Sequence, residues 1–295
     1  MMQPDVHARA PRRRAAIRAG AFVSLAAIVA GTLLPAGCDA VIERPQPRLF
    51  YFPLSIGDRD IGPAFLDTGG EFEVLLSEPF GLPIQGELEV LAFGGREHVS
   101  VTGPFDYTVA GLTMRGTGAI VGLSACVCNG VGLGFLQKAK KVVHLDFTTG
   151  DAALTDEVPA DAFGLSSARP EGLLRDFSGS FIEVEVSDGD RAAVLHALLD
   201  TGSTRTVMRA GIVPPQPSRG ADLVVVTIGH PVLGVARVYA STYDTEGLPD
   251  MIIGTDLMGA WADTWCFDYR DDARTVWVAD LAETGGTATA DTASQ

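Results

Sequence analysis

Downstream of position 40 the chain has no long stretch in which apolar residues recur with a 3.6-residue period, and this excludes a helical body. It contains no Gly-x-Ser-x-Gly elbow, no His-Glu-x-x-His pair and no phosphate-binding glycine loop with a lysine. The commonest serine-elbow, zinc-helix and P-loop hydrolase chemistries are thereby removed. Cysteine is scarce, with four in 295 residues, and none forms a Cys-x-x-Cys or sits near paired histidines. Zinc-ligand spacing is therefore missing, and no metal or organic cofactor is expected. Basic residues are few once Cys38 is passed, 17 against 36 acidic ones, so a polyanion would be repelled and no nucleic-acid partner is expected.

What the chain does have is glycine (34), proline (17) and short β-branched runs such as "LVVVTIG" and "FIEVEV", punctuated by turn residues. That pattern predicts an all-β protein. The length allows one large or two modest domains.

The first forty residues read as an address. "PRRRAAIRAG" is a cationic segment, "AFVSLAAIVAGTLL" an apolar one, and "LPAGC" closes it with small residues before a cysteine. The apolar core, Ala19 to Leu34, is shorter than the roughly 20 residues of a spanning helix. "LPAGC" resembles a bacterial lipobox, with Leu34 one place early and Pro35 in its usual position. The resemblance implies a signal peptide over 1–37 and a lipid-modified Cys38, hence export to the cell envelope and a membrane anchor on the periplasmic side. An oxidising compartment permits one disulfide among Cys126, Cys128 and Cys266; the first two are too close for an easy mutual bridge, so Cys266 with one of them is the expected pair if one forms.

An internal repeat organises the remainder. "AFLDTGGEFEVLL" around Asp67 and "ALLDTGSTRTVM" around Asp200 share a shape, with Val74 and Val207 each seven residues after the aspartate. A second pair of blocks, Gly130 to Phe147 and Ile252 to Tyr269, aligns without gaps: Gly132 on Gly254, Leu136 on Met258, Asp146 on Asp268, Phe147 on Tyr269. Between them, "ELEVLAFGG" and "ADLVVVTIGH" are strand-like runs ending in glycine, as hairpin tips do. From aspartate to block-two glycine the first copy is longer, 65 residues against 54, and the excess is assigned to a loop around "CVCNG". The chain thus divides into a spacer (38–47), an N-terminal lobe (48–155), a linker (156–178), a C-terminal lobe (179–282) and a polar tail (283–295).

One Asp-Thr-Gly in a chain of this length arises by chance in roughly 5–10% of cases at average residue usage, whereas two at equivalent places in a duplication call for a joint cause. Two carboxylates held about 3 Å apart cannot both ionise, so they share a proton and titrate as a unit. The charged member can take a proton from water while the protonated one donates to a carbonyl oxygen, which is a paired base and acid aimed at an amide. Threonine can bond the opposite loop, and glycine lets backbone N–H groups approach the carboxylates. Phe65-Leu66 and Leu198-Leu199 bury the strands that carry the acids.

The two segments resemble the active-site loops of aspartic peptidases of the pepsin and retropepsin type, and "LPDMIIGTDLM" (Leu248 to Met258) is similar to the second signature of the retropepsin-like group. The resemblance covers nearly all of 48–282. It implies two similar β lobes in one chain with a cleft between them, hydrolysis of a peptide or protein substrate, and a monomer. By position, Asp67 and Asp200 match the catalytic aspartates, Thr68 and Thr201 the threonines bonded across the dyad, and Gly69 and Gly202 the backbone donors. Ser203 matches a hydroxyl often bonded to its aspartate; Gly94 and Gly95 fall at a flap tip, with Gly229 and His230 at the comparable place in the second lobe. Gly70 departs from the Ser or Thr common in pepsin-type loops, leaving Asp67 short of one hydrogen bond, and Gly134 stands where the second copy has Asp256. A module that keeps the fold and binds or inhibits without cleaving is the alternative. Asp146, Asp256 and Asp268 are expected to be structural.

Overall fold

The structure, a computed structural model, describes residues 47–92, 95–123, 128–165, 179–188, 191–212, 223–271 and 275–281. The expected signal peptide, Cys38, residues 166–178 of the linker and the tail from 283 lie outside the described residues.

The first copy supplies β1 (Tyr51–Ile56), β2 (Arg59–Leu66), β3 (Val74–Leu76), β4 (Ile84–Ala92), β5 (Gly95–Thr102), β6 (Phe105–Val109), β7 (Leu112–Gly116), β8 (Ile120–Val121), β9 (Asn129–Val131), α1 (Leu133–Ala139), β10 (Val142–Asp146) and β11 (Asp151–Thr155). After β12 (Phe163–Leu165), the second copy supplies β13 (Phe181–Ser187), β14 (Ala192–Leu199), β15 (Val207–Arg209), β16 (Leu223–His230), β17 (Gly234–Tyr243), β18 (Met251–Ile253), α2 (Thr255–Trp261), β19 (Ala262–Asp268) and β20 (Val276–Leu281). The fold is all-β with two short helices. Alternation sets the faces: in β13, Ile182, Val184 and Val186 point into the core while Glu183 and Glu185 point out.

Three sheets result: nine strands in the order β4-β5-β8-β3-β9-β2-β1-β6-β7, a closed barrel β13-β14-β18-β15-β17-β16, and a shared sheet β11-β10-β19-β20-β12. The two copies repeat each other's pairings. β2 runs parallel to β9 as β14 does to β18; β3 is antiparallel to β9 as β15 is to β18; β3 is parallel to β8 as β15 is to β17. The gapless alignment of the second blocks holds, since each helix begins one residue after its aligned glycine, Gly132 or Gly254. In the shared sheet β10 pairs antiparallel with β19, Val142 opposite Asp268, Asp146 opposite Thr264, and His144 opposite its own equivalent Cys266. A pseudo-twofold axis therefore passes between His144 and Cys266.

The extra length of the first copy is the hairpin β6–β7, not a loop around "CVCNG". Its strand β6 pairs with β1 (Leu54 opposite Val109), on the edge where in the second copy β13 pairs with β16. The hairpin turn is Ala110-Gly111 with both residues at positive φ, +48° and +81°. That is the type I′ geometry usually announced by Asn-Gly, and an alanine in the first place conceals it. The stretch read as linker also contributes structure: β12 joins the shared sheet, Leu165 opposite Val276, with Leu165 buried.

One apolar core extends from the first lobe through the shared sheet into the barrel, with Trp261 and Trp265 wholly buried in it. Cys266 is a free thiol, so the disulfide expected between it and a partner is not formed; Cys126 lies outside the described residues. Cys266 lies in the centre of the shared sheet, and burial together with nearby Asp268 pushes its thiol up to about 12. Among the described residues no helix is long and apolar enough to cross a membrane.

Candidate active site

The strands β2 and β14 end at Leu66 and Leu199, and each hands its carboxylate to the loop that follows. Asp67 N–H donates to Val131 O at 2.9 Å and Asp200 N–H to Ile253 O at 3.0 Å, so each acid is fixed to the strand before its helix. The loops are then joined across the axis by four hydrogen bonds in two mirror pairs. Thr68 N–H donates to Thr201 Oγ1 and Thr201 N–H to Thr68 Oγ1, both at 3.1 Å. Thr68 Oγ1 donates to Leu199 O at 2.9 Å and Thr201 Oγ1 to Leu66 O at 2.8 Å. Every residue in this set is fully buried, so each bond is made away from competing water.

This ring brings together two acids that lie 133 positions apart, like the threonines beside them. Gly69 N–H donates to Asp67 Oδ1 at 3.0 Å and Gly202 N–H to Asp200 Oδ1 at 2.8 Å. Asp67 is held well above the usual carboxylate range, chiefly by burial, then by the charge of Asp200 and a side-chain hydrogen bond with it. Asp67 Oδ2 is buried and receives no donor from other groups. Two buried carboxyls that raise each other's proton affinity in this way do not ionise independently.

Glycine is required where the loops are tightest. A side chain at Gly202 would put its Cβ 2.7 Å from Asp67 Cγ, and one at Gly70 would lie 2.6 Å from Asp67 Oδ2 and 2.4 Å from the Phe72 ring. Gly70 therefore cannot carry the hydroxyl that Ser203 brings to the same place in the second copy, while its backbone N–H, like that of Gly69, partly offsets the rise at Asp67. The block-two glycines have the same cause. A Cβ at Gly132 would sit 2.6 Å from Gly70 O, and at Gly254 2.5 Å from Arg205 O. The helices approach the loops this closely because Leu133 N–H donates to Gly70 O and Thr255 N–H to Ser203 O, both at 2.8 Å.

Ser203 is placed in the loop but not in the expected role. Its hydroxyl donates to Arg205 O at 2.6 Å, and with one hydrogen it cannot also donate to Asp200. Asp256 is structural: Thr206 Oγ1 donates to it at 2.8 Å. The first lobe answers this pair differently. Gly134 packs against the Glu73 backbone, and the Glu73 carboxylate receives Tyr107 OH and Lys138 Nζ, both at 2.7 Å. The sequence pairs neither Glu73 with Lys138 nor either of them with the β6–β7 hairpin; only their separation of 65 positions being closed by the fold reveals the cluster. Asp146 is a turn acid that accepts from Thr148 and Thr149 N–H, and Asp268 is paired with Arg270.

Gly95 stands at the tip of the β4–β5 hairpin, opposite Ala92; Gly94 lies outside the described residues. Leu91 of that hairpin reaches the second lobe, within 3.2 Å of where a Gly247 side chain would begin. Gly229 and His230 likewise end β16, opposite Val235 and Gly234. Asp67 and Asp200 are each 0% exposed. A cavity of about 440 Å³ lies elsewhere, on the outer wall of the barrel around Glu185 and Gly229. Among the described residues no group of three His, Cys, Asp or Glu side chains could hold a metal ion.

No family model matches the chain. No curated protein matches it. Among solved structures it is similar to the crystal structure of basic 7S globulin from soybean, at 9% identity and a TM-score of 0.44, over 78% of this chain and 90% of that one.

Proposed function

We propose that the chain is an aspartic endopeptidase that cleaves peptide bonds with water activated between Asp67 and Asp200. The observation that carries the proposal is the mirror set of threonine bonds, which holds two buried carboxylates against each other with Asp67 favouring its protonated form. In the reaction the ionised carboxylate takes a proton from water, and the water oxygen bonds to the scissile carbonyl carbon. The protonated carboxylate donates to the carbonyl oxygen, giving a tetrahedral diol. Proton transfer to the nitrogen then lets the C–N bond break, and the dyad returns to one shared proton. No cofactor enters these steps. Both acids are 0% exposed, so a substrate reaches them only with a rearrangement of the groups around them.

The same coverage favours a second reading, a peptide-binding or inhibitory module of the same fold that never cleaves. Incubating the purified full chain and its Asp67→Asn and Asp200→Asn variants with a diverse peptide library between about pH 3 and 7 separates the two. Cleavage by the wild type alone supports the peptidase; folded wild-type protein that cuts nothing supports the module. Export and anchoring through a lipid on Cys38 are part of the proposal, resting on residues 1–38; loss of labelled fatty acid in Cys38→Ala tests them.

A further inference from the structure

The seam that closes the barrel is short. β13 and β16 pair only over Glu185–Gly229, Val186–Ile228 and Ser187–Thr227. One row of residues crosses it on the outer face: Val194 opposite Glu185, Glu185 opposite Gly229, Gly229 opposite Val235. Val194 and Val235 flank the row and are 62% and 64% exposed. Between them the row dips at Gly229.

That glycine is not demanded by the fold. Its φ is not in the left-handed range, and a Cβ there would meet only Val235 Cγ2 at 3.8 Å and Glu185 O at 3.9 Å, ordinary contacts. Glycine inside a strand weakens it, and commonly marks a place where a ligand or another chain approaches closely. Here the missing side chain opens the cavity of about 440 Å³, with His230 and Pro231 at its end and Glu183 and Glu185 on its flank.

The flank is acidic and unanswered. Glu183 and Glu185 are both exposed on the same face, and among the described residues neither has a cation within ion-pair distance. His230 does not fill that role: its Nδ1 accepts from Val232 and Leu233 N–H, and burial lowers its proton affinity. A dent with valine walls and carboxylates at one side matches a long aliphatic stem ending in a cation. We propose that this groove is a docking site for an arginine or lysine side chain presented by a partner protein, distinct from the Asp67–Asp200 site and independent of its activity. A second copy of this chain is disfavoured as the occupant by its formal charge of −15.

The test is a titration of the isotope-labelled full chain, followed by amide NMR, with acetyl-Ala-Arg-Ala-amide and with its norleucine counterpart, which keeps the stem and lacks the cation. The arginine peptide should shift the Gly229 and Val235 amides saturably while leaving the loops at 67–70 and 200–203 in place. The norleucine peptide should bind about tenfold more weakly, since an exposed ion pair contributes a factor of roughly two to five for each carboxylate. Glu183→Gln with Glu185→Gln should bring arginine binding to the norleucine level, and Gly229→Val should abolish it without lowering the melting temperature. Absence of saturable shifts in the wild type, equal binding of the two peptides, or unchanged binding in Gly229→Val overturns the proposal. So do concentration-dependent shifts of the same amides without peptide, which would assign the groove to self-association. If Gly229→Val fails to fold, the glutamine pair decides.

Discussion

Replacing Thr201 by valine keeps the side chain's shape and removes its oxygen. Two bonds go with it: the one donated to Leu66 O at 2.8 Å and the one accepted from Thr68 N–H at 3.1 Å. Neither partner is accessible to water, since Leu66 and Thr68 are 0% exposed. A lost hydrogen bond costs about 1 kcal/mol, and a buried N–H left without an acceptor about 1–3 kcal/mol more, so Thr201→Val should lose roughly 2–4 kcal/mol. That is a large part of the 5–15 kcal/mol typical of a folded protein. The mirror variant Thr68→Val removes the mirror pair of bonds, to Leu199 O and from Thr201 N–H. The two variants should therefore be destabilised equally, to within about 0.5 kcal/mol. Urea unfolding with a common slope measures both. A loss below about 0.5 kcal/mol in either variant, or a difference above about 1 kcal/mol between them, would refute the symmetric ring as the joint between the lobes.

Asp67 has its proton affinity raised by folding, so it contributes stability that is complete below its unfolded pKa of about 4 and is lost as pH rises through the folded value. Asp67→Asn should escape that loss: its melting temperature should gain on the wild type from pH 4 upward, and parallel curves would exclude it. In the β6–β7 turn, Ala110 sits at φ +48°; Ala110→Asn should raise stability by about 0.5–1 kcal/mol, read as a higher melting temperature. Gly254→Ala forces a Cβ to within 2.5 Å of the Arg205 carbonyl; it should cost at least about 1–3 kcal/mol in denaturant titration.

The duplication was legible in the sequence because symmetry leaves matching residues at matching distances. The dyad aspartates, the threonines beside them and the helix-entry residues repeat with equivalent partners, as Leu133 and Thr255 do with Gly70 and Ser203, whereas the repeated Asp146 and Asp268 take different ones. What broke the symmetry was hidden. The β6–β7 hairpin carries an alanine where its turn type favours asparagine, and β12 is a three-residue strand inside a Pro- and Ala-containing stretch. The role of Gly70 could not be read either, because it depends on the Phe72 ring occupying the space a side chain would need. The Ser203 hydroxyl commits its single hydrogen to a backbone carbonyl two residues on, a local bond that the match of residue types does not announce.

The sharing of one proton by residues 67 and 200 is open to direct observation. Carboxyl carbon NMR of aspartate-labelled protein, titrated with acid and base, follows each side chain separately. Two coupled steps should appear, with at least one well above the ordinary carboxylate value of about 4, and either asparagine substitution should abolish the coupling. Two independent titrations near that ordinary value, unchanged when the other acid is replaced, would mean that the carboxylates do not form a pair.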